Sequence, residues 1–154
     1  MKAFISLAAL AVASFGFVSP AAAYKFAPVN TAFSAHGAVT VTAGAVSLPC
    51  TAVLHGTTVG GGSITSASFS GVSCGALTAT NLPWSMTTGS VSGLRIHGMA
   101  VNAVILGVCG PGSVGGTLSA FGRITISSAN LPGLIPCSVS ATLHTTPHLR
   151  IVGH

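Results

Sequence analysis

Four cysteines, six histidines and a large complement of serines and threonines are the side chains with reactive chemistry to offer in this chain. Cys50, Cys74, Cys109 and Cys137 stand far apart, with no CxxC pair among them. Structural zinc sites draw on closely spaced thiolates, whereas an even set of cysteines in an exported chain is spent on disulfides. His144 and His148 are four apart, a metal-ligand spacing on a helix, but Pro147 and the two preceding threonines oppose a helix there. On a strand the two imidazoles would share a face yet lie well separated along it, so no metal ligand is assigned. Gly110-Pro111-Gly112 has the glycines of a phosphate loop without its Lys-Ser/Thr partner or a helix signature after it. It reads as a turn.

The strongest constraint is an absence. The 154 residues contain no aspartate and no glutamate. Carboxylates serve as general acids and bases, as oxygen ligands for calcium and magnesium, and as the groups that orient catalytic histidines. A serine beside a histidine, with no acidic partner, is a poor nucleophile. No catalytic residue and no cofactor site is therefore assigned, and the chain is expected not to be an enzyme.

The first residues read as an address. Lys2 supplies a positive start, Phe4 to Val18 an apolar stretch, and Pro20 with Ala21-Ala22-Ala23 a cleavage site, so cleavage is expected after Ala23. The apolar stretch is shorter than the ~20 residues that span a bilayer. Two units follow: residues 1–23 as a cleaved signal and residues 24–154 as one secreted domain, extracellular or attached to the cell surface, with no later transmembrane span. Beyond the signal the fixed charges are Lys25, Arg95, Arg123 and Arg150. They are scattered, unlike the clustered cations that contact nucleic-acid phosphates. Weak attraction to an anionic cell-surface polysaccharide remains compatible with the sign of the charge.

The elements that position these residues are strands. Val39 and Val41 alternate with threonines, Ile124 and Ile126 with Arg123, Thr125 and Ser127, and Val139, Ala141 and Leu143 with serines, Thr142 and His144. Period two marks strands with one buried and one wet face. The more continuous apolar run from Leu94 to Val108 suggests a central pair or a bent strand, with Gly98 and Gly107 marking a bulge and an end. Glycines at 60–62, 110–112 and 115–116 read as turns. The expected fold is all-β: a single antiparallel β-sandwich or barrel-like domain of about eight to ten strands, stapled by disulfides. A weak internal duplication, about 46–85 and 105–147, repeats cysteine, glycine-rich turn, alternating strand, cysteine and strand. A duplicated unit most simply closes its own loop, which favours Cys50–Cys74 and Cys109–Cys137.

In this setting "NTAFSAHG", "SASFSGVSC" leading into "TATNLPW", the central "GVCGPG" and the closing "SATLHTTPHLRI" resemble the secreted PraB-type protein activators of alkane oxidation. The resemblance runs from about Asn30 to Ile151. It implies a small extracellular protein associated with growth on long-chain alkanes, and it carries over no catalytic residue.

Two roles follow. One is an accessory protein that meets hydrocarbon at the cell surface or an oil–water interface, which requires an exposed apolar patch. The other is a self-assembling fibre or biofilm-matrix subunit, a homo-polymer built by strand addition. For the second, Tyr24, Phe26, Val29 and Phe33 in the segment Tyr24 to Ala35 are the candidate contacts, the competing reading being a strand packed on its own domain. Trp84, the one tryptophan, is an apolar anchor, either in the core beside Cys74 or exposed to a partner. Phe69 and Phe121 are expected in the core.

Overall fold

The computed structural model describes residues 23–104 and 107–153. Residues 1–22, which carry nearly all of the expected export signal, lie outside the described residues. In chain order the strands are β1 (Tyr24–Ala27), β2 (Ala32–Ala43), β3 (Val46–Thr57), β4 (Ser63–Ser70), β5 (Leu77–Thr80), β6 (Trp84–Thr87), β7 (Gly93–Ala103), β8 (Gly107–Leu118), β9 (Arg123–Leu131), β10 (Cys137–Thr146) and β11 (Arg150–Gly153). No described residue is helical.

Nine strands form one antiparallel sheet in the order β5-β7-β6-β4-β3-β2-β10-β9-β8, and a further β7–β8 ladder closes it. The ring β7-β6-β4-β3-β2-β10-β9-β8 is thus an eight-stranded barrel. β5 and β6 share β7, pairing with Thr80-side and Arg95-side registers respectively: Leu77 opposes Ala103, and Thr87 opposes Arg95. The expected all-β, barrel-like fold is borne out, with eleven strands in place of eight to ten.

Alternation is what fills the barrel. Val39, Val41, Ile124, Ile126, Val139, Ala141 and Leu143 all point inward and are buried, while their polar neighbours face water. Each fully buried aliphatic side chain contributes about 1.5–3 kcal/mol. Trp84 and Ile96 lie in the same core, and the cavity left beside Trp84, Phe69 and Met99 holds only about 30 Å³. That accommodates something water-sized and excludes a hydrocarbon chain, so the interior is a packed core.

The glycines of β8 depart from the expectation. Gly110-Pro111-Gly112 and Gly115-Gly116 are not turns; they lie inside β8. Here glycine serves close approach. A Cβ on Gly112 would come 3.0 Å from both Leu131 and Pro132, and one on Gly116 3.0 Å from Ile126 and nearer still to a β9 carbonyl. Gly98, at φ +74°, does mark the expected irregularity, because the β7–β8 register shifts between Ile96 and Met99. Gly107 opens β8 where an end was expected.

The remaining two strands form a separate ribbon, with Tyr24 opposite Gly153 and Ala27 opposite Arg150. The ribbon covers one end of the barrel, where Phe26 and Leu149 are buried. Two threonines fasten this end. Thr58 Oγ1 donates to the Pro28 carbonyl at 2.7 Å and accepts from the Thr31 N–H at 2.9 Å. Thr145 Oγ1 donates to the Gly122 carbonyl and accepts from the Leu149 N–H, both at 2.9 Å. Their burial costs little because the hydroxyls are satisfied.

Candidate functional site

Strand direction sorts the connections into two ends. The β3–β4, β6–β7 and β8–β9 connections lie at the ribbon end. The β2–β3, β4–β5, β7–β8 and β9–β10 connections lie at the opposite end, and both disulfides are there. Cys50–Cys74 ties β3 to the β4–β5 loop, and Cys109–Cys137 ties β8 to the start of β10. Both pairings are those favoured by the sequence.

This stapled end is apolar. Val72 in the β4–β5 loop is 107 % exposed, Leu134 in the β9–β10 loop 102 % and Val104 after β7 82 %, with Val46, Val108 and Ile135 also exposed. The β9–β10 loop adjoins the β2–β3 turn and the start of β8. A Cβ on Gly44, in the β2–β3 turn, would touch Ile135 at 3.5 Å, and Cys109 bridges Gly133 across β8 and the β9–β10 loop. A short chain would ordinarily tuck such side chains inward. Here the β4–β5 and β9–β10 loops are each held by a disulfide beside an exposed residue: Val72 lies two residues from Cys74, and Ile135 two from Cys137.

Charge is distributed the other way. Among the described residues, every lysine, arginine and histidine lies in the half of the molecule nearer the ribbon. Lys25 and Arg150 are on the ribbon, Arg123 starts β9, and Arg95 is three residues into β7. His36, His55, His97 and His144 occupy the ribbon-side halves of β2, β3, β7 and β10, and His148 follows β10. Exposed apolar residues also occur at the ribbon end, namely Val29, Val59, Val91 and Phe121, but there they are interspersed with cations. The stapled end has no titratable side chain among the described residues to hydrate it.

The residues singled out from the sequence separate clearly. Trp84 is buried and its Nε1 donates to the Thr80 carbonyl at 2.8 Å, so it anchors the core and offers no outward surface. Phe33 lies within β2, opposite Gly56 of β3, and is buried; Phe26 is buried under the ribbon; Tyr24 is half-buried and only Val29 is exposed. In the single chain, Phe26 and Phe33 therefore pack on their own domain, the competing reading of that segment. Phe69 packs partly buried against the core as expected. Phe121 does not: it is 81 % exposed in the Ser119–Gly122 turn, which the Gly122 N–H closes onto the Ser119 carbonyl at 3.1 Å. β8 ends three residues before it, so its apparent place in an alternating pattern is an accident of the turn.

His144 and His148 do not form a pair, since His148 lies beyond the end of β10. His144 instead faces His36 across β2 and β10, with ring centroids 6.4 Å apart. Among the described residues no three His or Cys side chains converge as a metal site. No described helix is long and apolar enough to cross a membrane.

The family model described as alkane oxidation protein activator PraA/PraB-like matches residues 1–153, bearing out the resemblance drawn from the motifs. No curated protein and no solved structure matches the chain.

Proposed function

Because the chain belongs to the PraA/PraB-like family of alkane oxidation protein activators, we propose that it is a secreted, non-catalytic accessory protein that adsorbs to hydrocarbon and promotes contact between cells and insoluble alkane. The observation that carries this reading is the stapled end, where Val72, Val104 and Leu134 project without a charged neighbour. Transfer of such side chains from water to oil is favourable by about 1.5–3 kcal/mol each when complete. Charged groups, which oil excludes, are gathered in the other half, so the molecule has a preferred orientation at the interface. The complete lack of side-chain carboxylates supports a role without catalysis. The sequence of residues 1–23 supports export.

Pendant-drop tensiometry on a long-chain alkane tests the reading. Wild-type protein should lower the interfacial tension, and the triple variant Val72→Asp, Val104→Asp, Leu134→Asp should do so much less at equal bulk concentration. Equal activity of the two proteins would sink the proposal.

A fibre subunit is the second reading, favoured by the ribbon. β1 is a short strand outside the barrel ladder, joined only to β11. Exchange of Tyr24–Ala27 between copies would reproduce the same pairing and the same seat for Phe26, as in a strand swap. Phe33, being part of β2, would stay at home. Filaments in electron micrographs that vanish on deletion of Tyr24–Ala27 would support this role.

A further inference from the structure

The outer face of β9, β10 and β2 carries a second feature, independent of the apolar end. Arg123, His144 and His36 are direct register partners on these three adjacent strands, and all three are exposed. They form one row running across the sheet, one basic side chain per strand. Next to the row, on the same face, lies a shallow groove of about 400 Å³. Thr40, Thr125, Ser127, Ser128, Ser140 and Thr142 line it with hydroxyls. A bulge lies in the groove: the β9–β10 register shifts between Val139 and Ala141, and the Ser128 N–H donates to Ser140 Oγ at 3.0 Å.

We propose that this face binds an acidic polysaccharide bearing a carboxylate on successive sugars. Adjacent strands are about 4.8 Å apart, which is comparable to the advance of one pyranose along an extended glycan. A chain laid across the strands would thus meet Arg123, His144 and His36 in turn, while its hydroxyls exchange hydrogen bonds with the groove. Arg123 offers a planar fork to a carboxylate. Histidine is the side chain that gains charge between neutral and mildly acidic pH. Neighbouring groups reinforce this. His55 on β3 lies two residues beyond Val53, the partner of His36, and is opposite Ser34; His148 follows β10; and β4 contributes only Ser66 and Ser68. No side-chain carboxylate exists anywhere in the chain to neutralise the row. Like charges directly opposite one another on a sheet repel, and an external polyanion relieves that repulsion.

The test is titration calorimetry of the full mature chain with a defined oligouronate at about pH 5.5 and about pH 7.5. A neutral oligosaccharide of equal length and inorganic phosphate serve as separate probes. Binding should be about tenfold tighter at the lower pH, the gain expected when hydrogen bonds become charge-assisted. The variant His36→Gln/His144→Gln should lose that pH difference, and Arg123→Gln should weaken binding at both pH values. Thr40→Val should weaken the oligouronate and leave phosphate unchanged. The proposal is overturned if the neutral glycan binds as well as the oligouronate, or if the histidine variant retains the pH difference. Phosphate binding as tight as oligouronate binding would also overturn it, by reducing the face to an unspecific anion contact. Tightening only on addition of copper would do so too, by reassigning the His36–His144 pair to a metal. None of these outcomes depends on oil adsorption, so this proposal and the interfacial one fail separately.

Discussion

Phe33 lies directly over Gly56, its register partner across β2 and β3: a Cβ built on Gly56 would come within 2.6 Å of Phe33 Cζ. The ring occupies the space that a side chain on β3 would need. Glycine in a strand interior is ordinarily weakening, and here the aromatic ring covers it. Gly56→Ala should therefore overpack the barrel and cost about 1–3 kcal/mol. Phe33→Ala should cost about 3–5 kcal/mol, as for a buried aromatic elsewhere. Urea unfolding measures both, and a tolerated Phe33→Ala would mean that the ring is not the core element described.

Thr145 supplies the second prediction. Its hydroxyl satisfies both the Gly122 carbonyl and the Leu149 N–H in a buried setting. Thr145→Val keeps the shape and removes these bonds, leaving the Leu149 N–H without that partner. A loss of about 1–3 kcal/mol is expected, read as a lowered thermal midpoint.

The disulfides close loops with sequence separations of 24 and 28. Replacing either pair by serines should cost about 3–4 kcal/mol in the chain-entropy model. Non-reducing peptide mapping should recover Cys50 with Cys74 and Cys109 with Cys137, and denaturant titration of each double variant gives the cost.

Leu134→Asp should separate surface activity from stability. The side chain is fully exposed, so its replacement should alter the unfolding free energy by no more than about 0.5 kcal/mol. Adsorption to alkane should nonetheless fall. A large stability loss would show that the loop packs inward in solution.

Trp84 provides an internal reporter. Buried and bonded to Thr80, it should emit at short wavelength, resist quenching by acrylamide, and be unaffected when the protein adsorbs to hydrocarbon. A spectral change on adsorption without unfolding would place the tryptophan at the contact.

The sequence was most readable where burial is one-sided. Val39 and Val41, or Val139, Ala141 and Leu143, reveal their strands because one face meets the core and the other meets water. It misled where the backbone itself is the packing surface. In β8 the glycines at 110, 112, 115 and 116 look like turn residues, yet all four lie within the strand, and those at 110, 112 and 116 let β8 approach β7 and β9. That demand comes from the flanking strands, not from the local residue pattern. The stapled apolar end was hidden for a related reason. Val46, Val72, Val104, Val108, Leu134 and Ile135 are scattered singly along the chain, and only closure of the barrel gathers their loops. The Arg123–His144–His36 row likewise depends on the ladder that joins β10 to the distant β2. The disulfide pairing was accessible because each half closes on itself.

The register of the ribbon has a mechanical consequence. Tyr24 and Gly153 face each other at the same end of the β1–β11 pair. Tension applied through these two residues therefore peels the ribbon open, loading its hydrogen bonds one after another instead of sharing the load in shear. Tension entering through the loops at the opposite end meets covalent crosslinks within a few residues. A molecule pulled through Tyr24 and Gly153 would yield first at the ribbon, with the barrel still closed.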